Sequence, residues 1–277
     1  MKINNSIILI LKPTISLIIA TYNWEEALSL SLKYVLKQSI LPDEIIIADD
    51  GSRLATKAVI DYARSQTTIP IIHVWHEDNG FRLSEIRNKA IHIAKGDYII
   101  QLDGDIIIHK HFIADHLSVA EAGYFVCGSR VKTTPLQATK FLQNQNVRFI
   151  SLQHKPSHIL NCLRSKILRK FLSKRYNTKN VLKLRGCNMA FWKKDLIAVN
   201  GYNQDLKGWG HEDAELAIRL KNIGVSKKCL KMGGIALHIY HNETSKEKEA
   251  EHYKILNEAM EFRLKRCNNG ISNLNWI

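Results

Sequence analysis

Four short aliphatic, β-branched runs separated by helix-period segments constrain this chain more than any other feature. Ile15–Ala20, Glu44–Ala48, Ile69–Trp75 and Tyr98–Leu102 read as strands. Trp24–Gln38, Thr56–Arg64 and Ser84–Ala94 read as the helices between them, with Pro42 ending the first and Gly96 placed to cap the third. The strands carry apolar residues in succession rather than in alternation, as strands buried on both faces do. A β-α-β-α-β-α-β order predicts an α/β fold, a mostly parallel central sheet flanked by helices. Ligands of such sheets sit beyond the carboxyl ends of the strands. Three polar clusters fall at those ends: Thr21-Tyr22-Asn23, Asp49-Asp50-Gly51-Ser52 and Asp103-Gly104-Asp105. The topology therefore predicts that they meet in space.

The pattern changes after residue 136. Ile159, Leu160, Leu163, Ile167, Leu168, Phe171 and Leu172 recur at helical spacing with basic residues between them, predicting a basic amphipathic helix over Ile159–Arg175. Gly186-Cys187-Asn188-Met189-Ala190 reads as a strand edge or loop, Lys194–Val199 as a short helix, and Gly208–Asp213 as a rigid turn into a helix over Ala214–Ile223. A charged helix is expected from Ser245 to about Arg266.

The acids carry the chemistry. Asp103 and Asp105 flank a glycine at a strand end, where crowded carboxylates repel unless a cation or a proton lies between them. Hard divalent cations favour such oxygen ligands and bridge phosphates. In Asp49-Asp50-Gly51-Ser52 a carboxylate can accept from a base or ribose, or Asp or Ser can cap the next helix. Glu212 and Asp213 follow Gly208-Trp209-Gly210-His211. The glycines allow close approach of backbone to ligand, and the Trp209 indole offers a flat face to a sugar ring. The same two acids also suit the positive end of a helix dipole. His238 and His241 can add neutral imidazole ligands to a metal held by a carboxylate, or serve structure alone. Arg82 and Arg87 can pair with a diphosphate, or hold Glu85 and other acids on a helix surface.

In order along the chain, SLIIATYN, EIIIADDGS, GFRLSEIRNKAI, GDYIIQLDGD, RGCNMAFWKKDLIAVNGYNQDLKGWGHEDAEL and HIYHNE resemble the family-2 glycosyltransferases of the GT-A fold. The second half is similar to the subgroup that includes bacterial chondroitin-polymerase-type domains and β-1,4-galactosyltransferases. The resemblance runs from about Thr14 to Glu243, and the Gly-Trp-Gly-x-Glu-Asp block after Asn200-Gly201-Tyr202-Asn203 is its most specific part. It implies a single GT-A nucleotide-diphospho-sugar transferase domain over 1–277. A nucleotide-binding half spans about 14–130, a basic helical insertion about 136–183, an acceptor-binding and catalytic half about 184–243, and a C-terminal helix about 245–266. It further implies an inverting transfer from a nucleotide-diphosphate donor, a UDP-sugar above others, to a glycan or lipid-linked glycan. Asp49 and Asp50 are expected on the nucleotide, with Thr21, Tyr22, Asn23, Arg82, Arg87, Asp103 and Gly104 on the donor side. Asp105 with His241, or else His238, is expected to hold Mn2+ or Mg2+. Asp213 is expected to be the general base, and Glu212, Trp209, Gly210, His211 and Asn188 to face the acceptor. Relatives mostly carry Gly where His211 stands, so the acceptor pocket is expected to differ.

The net charge is +14, and residues 122–194 hold 16 Lys and Arg with no acid. The basicity is therefore local, and it points to phosphate-bearing substrate or an anionic membrane surface. Nucleic acid would also explain it, but not the strand-end carboxylates, and the basic stretch has few interleaved aromatics. The predicted basic helix either lies on an anionic membrane or packs its apolar stripe on the domain. The early run Ile7–Leu11 is too short to span a bilayer and no cleavage-like site follows it, so the chain reads as cytosolic, peripheral to the membrane at most. Five widely spaced cysteines without a CxxC read as reduced thiols. A glycine-rich loop with a basic residue, expected of a nucleotidyltransferase, is missing after Ile15–Ala20.

Overall fold

The computed structural model describes residues 12–149, 160–176, 178–242 and 247–274; the Ile7–Leu11 run lies outside them. The first half alternates as the periodicity predicts: β1 Ile15–Thr21, α1 Glu25–Val35, β2 Glu44–Asp49, α2 Leu54–Ser65, β3 Ile71–Trp75, α3 Leu83–Ile93 and β4 Tyr98–Asp103. There follow β5 Ile106–Ile108, α4 Phe112–Leu117, β6 Tyr124–Cys127, β7 Val131–Lys132, α5 Pro135–Asn144, α6 Lys166–Ser173, β8 Asn188–Trp192, α7 Lys193–Ala198, α8 Glu212–Asn222, β9 Ser226–Cys229, β10 Ala236–His238 and α9 Glu249–Glu261.

Seven strands form one sheet in the order β3-β2-β1-β4-β8-β6-β9. Only β8 runs against its neighbours β4 and β6. Residues 188–192 are thus an interior strand rather than the edge or loop expected, because β4 and β6 both pair with them. The first four strands end level: Thr21 pairs with Asp49, and Ala20 with Asp103. That register brings the three polar clusters to one edge of the sheet. Side chains alternate between two cores, Ile18, Ala20, Ile46 and Ala48 to one face and Leu17, Ile19, Ile45 and Ile47 to the other. Both faces are covered by helices, which is why these strands are continuously apolar. A second sheet, β5-β10-β7, carries its own core of Ile107, Val131 and Leu237 beneath α1.

Two local expectations are corrected. Gly96 does not cap α3, whose C-cap is Ala94. Gly96 instead lets β1 approach, since a Cβ there would lie 2.5 Å from the Ser16 amide nitrogen. The basic helix is also shorter than expected. Its start at Ile159 lies outside the described residues, Leu160–Cys162 forms a 3-10 turn, and Ser165 caps α6 by accepting from the Leu168 amide. The apolar stripe of α6 does not pack on the domain: Ile167, Leu168 and Phe171 are exposed, while Arg169 and Ser173 are buried. All five cysteines are buried free thiols. Among the described residues no helix is long and apolar enough to cross a membrane.

Candidate active site

A cleft of about 1030 Å³ opens at the carboxyl ends of β1 and β4. Its wall contains Thr21, Tyr22, Asn23, Asp50, Arg87, Asp103, Gly104 and Asp105 on one side and Trp209, Gly210, His211, Glu212 and Asp213 on the other, with His238 and His241 at the end. Residues as far apart in the chain as Thr21 and His241 thus share one cavity. Of the residues singled out from sequence, Asp49, Arg82 and Asn188 do not line it.

The nucleotide-side loops are braced by one another. Asn23, with φ of 44°, donates its amide to Ser52 Oγ at 2.8 Å, and its Oδ1 accepts from the Arg53 amide at 2.9 Å. Asp49 is buried, with Oδ1 accepting from the Ser52 amide at 2.8 Å and Oδ2 2.8 Å from His73 Nε2. It shapes the turn rather than the cleft. Asp50 reaches the cleft, held by His76 Nε2 at 2.6 Å and the Arg82 amide at 2.9 Å. Neither Asp nor Ser caps α2, whose N-cap is Arg53. The Arg82 side chain bonds Glu85 at 3.2 Å and the Glu77 carbonyl, so it fastens the loop before α3. The Tyr22 hydroxyl donates to Asp78 at 2.9 Å, and that bond raises its pKa.

Asp105 sits where β10 meets the end of β4. Its Oδ2 is 3.1 Å from His238 Nε2 and 3.3 Å from His241 Nε2. One ligand atom from each of the three lies within 4.8 Å of the others. The two imidazoles sit together, ring centroids 5.0 Å apart, so both histidines named as alternatives lie beside Asp105. Asp105 Oδ1 is buried without a hydrogen-bond partner. Buried polar atoms rarely lack partners, and binding of an ion is one physical way to satisfy such an oxygen. A carboxylate with two imidazoles is a donor set that fits Mn2+ better than Mg2+, which prefers oxygen ligands throughout.

Arg87 joins the two halves of the cleft. Fully buried, it donates from Nη2 to Asp103 Oδ1 at 2.9 Å and from Nη1 to Asp213 Oδ1 at 3.3 Å. Burial opposes its charge, yet Tyr202, Asp213, Asp103 and Glu212 outweigh that and hold its pKa above the arginine range. Asp103 is pushed up by desolvation, against the pull of Arg87. Burial and then the Asp213 carboxylate push Glu212 up to about 7. Glu212 Oε2 accepts from the Gly210 amide at 3.0 Å. The Tyr202 hydroxyl lies 2.8 Å from Gln101 Oε1 and 3.0 Å from Asp213 Oδ1, with one proton to share. Both acids start α8 as their spacing allowed, so the dipole reading and the cleft reading hold together.

The loop before α8 depends on backbone that L side chains avoid: Gly208, Gly210 and His211 have φ of 103°, 111° and 66°. The buried His252 of α9 clamps it, with Nδ1 2.8 Å from the Gly210 carbonyl and Nε2 3.1 Å from that of Lys207. Sequence reasoning missed His252, Tyr202 and Gly186. A histidine on a charged helix gives no local signal, and Gly186 matters only because Asp213 Oδ2 fills the space its side chain would take. Arg130, donating to Cys187 Sγ at 3.2 Å, and Arg185 add positive charge to the wall and were also missed. Asn188, expected on the acceptor, is buried and pins β8 through Ser129 and Gly234 carbonyls and His116.

The profile of glycosyl transferase family 2 matches residues 16–198, and that of the N-terminal domain of galactosyltransferase matches residues 167–242. A chondroitin synthase of Pasteurella multocida (strain Pm70) is 27% identical over 252 residues, covering 84% of this chain but 26% of that protein. The chain therefore spans about a quarter of that relative's length. Among solved structures, the mannosyltransferase PcManGT from Pyrobaculum calidifontis, in complex with GDP-Man and Mn2+, superposes with a TM-score of 0.61 at 16% identity, over 91% of this chain and 65% of that one. S. aureus TarS 1-349 in complex with UDP superposes with a TM-score of 0.57 at 16% identity, over 88% and 64%. The likeness to these structures establishes the GT-A fold.

Proposed function

We propose that this chain, which belongs to glycosyl transferase family 2, moves a hexose or N-acetylhexosamine from a UDP-sugar to a hydroxyl of a surface glycan such as capsule or O-antigen, with inversion. The observation that carries the reading is one cleft in which Arg87 ties the strand-end acid Asp103 to the helix-start acid Asp213. Relatives that make chondroitin, and fold neighbours solved with GDP-Man and UDP, support a nucleotide-sugar donor and a polysaccharide product.

In this reading Asp50 and the Thr21–Asn23 loop hold the nucleoside, and Asp103 with Gly104 the ribose side. Asp105, His238 and His241 hold a divalent cation, which when bound stabilises negative charge on the departing diphosphate. Trp209 walls the sugar and Glu212 orients the acceptor. Asp213 takes the proton of the acceptor hydroxyl as that oxygen bonds to the anomeric carbon, and the bond to the nucleoside diphosphate breaks on the opposite face. Arg87 and Tyr202 hold the Asp213 carboxylate in place. The acceptor, free or lipid-linked, is met at the inner face of the cell membrane, with the enzyme peripheral to it.

The test is turnover of a panel of nucleotide sugars with Mn2+, with and without simple saccharide acceptors. One donor is expected to release its nucleoside diphosphate in a Mn2+-dependent way, faster with acceptor. Asp213→Asn is expected to lower transfer by about 10²–10⁴-fold with the fold intact. No turnover of any donor would overturn the reading, and near-normal transfer by Asp213→Asn would remove the base assignment.

A further inference from the structure

Helix α6 turns a charged side toward the protein and an apolar side toward solvent. Arg169 is 3% exposed and ion-pairs with the buried Asp115 of α4 at 2.9 Å, while its Nε donates to Ser118 Oγ at 2.8 Å. Ser173, one turn on, is also buried. At about 3.6 residues per turn, Ile167, Leu168 and Phe171 fall on the opposite arc. They are 83%, 46% and 53% exposed, and Leu163 just before the helix is 39% exposed. Soluble helices bury such a stripe. Here the polar anchoring fixes the helix so that the stripe cannot roll inward.

The charge around this stripe says what covers it. Lys166, Lys170 and Lys174 repeat every four residues along one border of the apolar arc. The Arg175 guanidinium lies 4.2 Å from the Phe171 ring centroid. No acid occurs in residues 122–194 to balance them, although Lys174 itself pairs with Glu121 from before that stretch. Aliphatic side chains flanked by cations suit an anionic bilayer, where the apolar groups enter the headgroup–acyl boundary and the cations meet lipid phosphates. A nucleic-acid surface would call for flat stacking rings along a basic groove, and this arc is mostly Ile and Leu.

We propose that α6 with Leu163 is a membrane-docking surface for anionic lipid. Ile167, Leu168 and Phe171 enter the interface, and Lys166, Lys170 and Arg175 contact the headgroups. The chain beyond α6 leads to Leu182, Leu184 and Arg185 in the cleft wall, so docking sets the cleft beside lipid-borne substrate. Only that purpose rests on the transferase reading; the docking itself does not.

Sedimentation with vesicles tests it, in the absence of donor and acceptor. The 277-residue chain is mixed at low salt with vesicles of phosphatidylcholine alone, or of equal parts phosphatidylcholine and phosphatidylglycerol. Binding is expected only with the anionic vesicles, and to fall as salt rises. Exchanging Lys166 or Lys170 for glutamine weakens it by about fivefold each. Ile167→Ser with Phe171→Ser weakens it by about tenfold or more. These side chains are exposed, so the variants keep the wild-type melting temperature and circular dichroism. Failure of the wild type to pellet with anionic vesicles would sink the proposal, as would variants that pellet like the wild type. Binding of an oligonucleotide that the same variants lose, without vesicle binding, would assign the face to nucleic acid and overturn it too. A donor-turnover assay on the variants separates this outcome from failure of the transferase reading.

Discussion

A Cβ built on Gly186 lies 1.6 Å from Asp213 Oδ2. Gly186→Ala therefore has to displace the carboxylate, and we expect a loss of transfer on the order of 10²-fold from that misplacement with near-wild-type circular dichroism. Unchanged kcat would mean that Asp213 has no fixed place. Glu212 gives a prediction about pH. Its folded pKa of about 7 stands above the ordinary 4.5, so across that interval the native state keeps a proton that the unfolded chain has lost. The Glu212 contribution to the stability of the ligand-free protein therefore falls as pH rises from about 4.5 to 7 and then levels, while the buried His116, pushed down to about 4, contributes in the opposite sense. The raised Asp103 acts in the same direction. Glu212→Gln stays neutral and its amide oxygen still accepts from Gly210, so the melting temperature of the wild type relative to this variant should fall over this interval. Parallel curves for the two proteins would refute the assignment. Among these residues, Asp103, Asp105, Glu212 and Asp213 were legible from strand-end and helix-start positions. Which of Asp49 and Asp50 faces the cleft was not, because the choice depends on His73 and His76 across the sheet.

Helix α6 shows how one side chain can set an element's orientation. Its pattern permitted burial of the apolar stripe, but Asp115 accepts from Arg164 Nε at 2.9 Å, from Arg164 Nη2 at 2.8 Å and from the Gly234 amide at 3.0 Å, and pairs with Arg169. Asp115→Asn leaves the buried Arg169 without its counter-charge, a loss expected to cost about 3–5 kcal/mol. Urea unfolding checks it: a change below about 1 kcal/mol, the scale of exposed pairs, would mean that the network is not what seats α6. The segment between residues 163 and 166 breaks the long helix expected there, since Ser165 is used as a cap. The loop before α8 is a second case. Its glycines were read as room for a ligand, and the structure adds that His252 of α9 holds the loop from behind.

For the whole molecule, the level ends of β1, β2 and β4 explain why three clusters separated in sequence make one site. A cation bound there would stabilise only the folded chain. Mn2+ at a hundredfold excess over its Kd should add about 2.7 kcal/mol, read as a raised melting temperature that Asp105→Asn abolishes. An equal rise in that variant would place the ion elsewhere. The alternation of strands and helices, the parallel sheet and the edge on which the acids gather could all be read from residue order, because apolar runs and helical periods are local and decide burial before any long-range partner is known. Tertiary contacts alone decided that residues 188–192 are an interior strand, that both His238 and His241 reach Asp105, that Arg87 bridges Asp103 to Asp213, and that α6 faces outward. Each of these rests on a charge or hydrogen-bond partner far away in the chain, and local periodicity carries no information about such a partner.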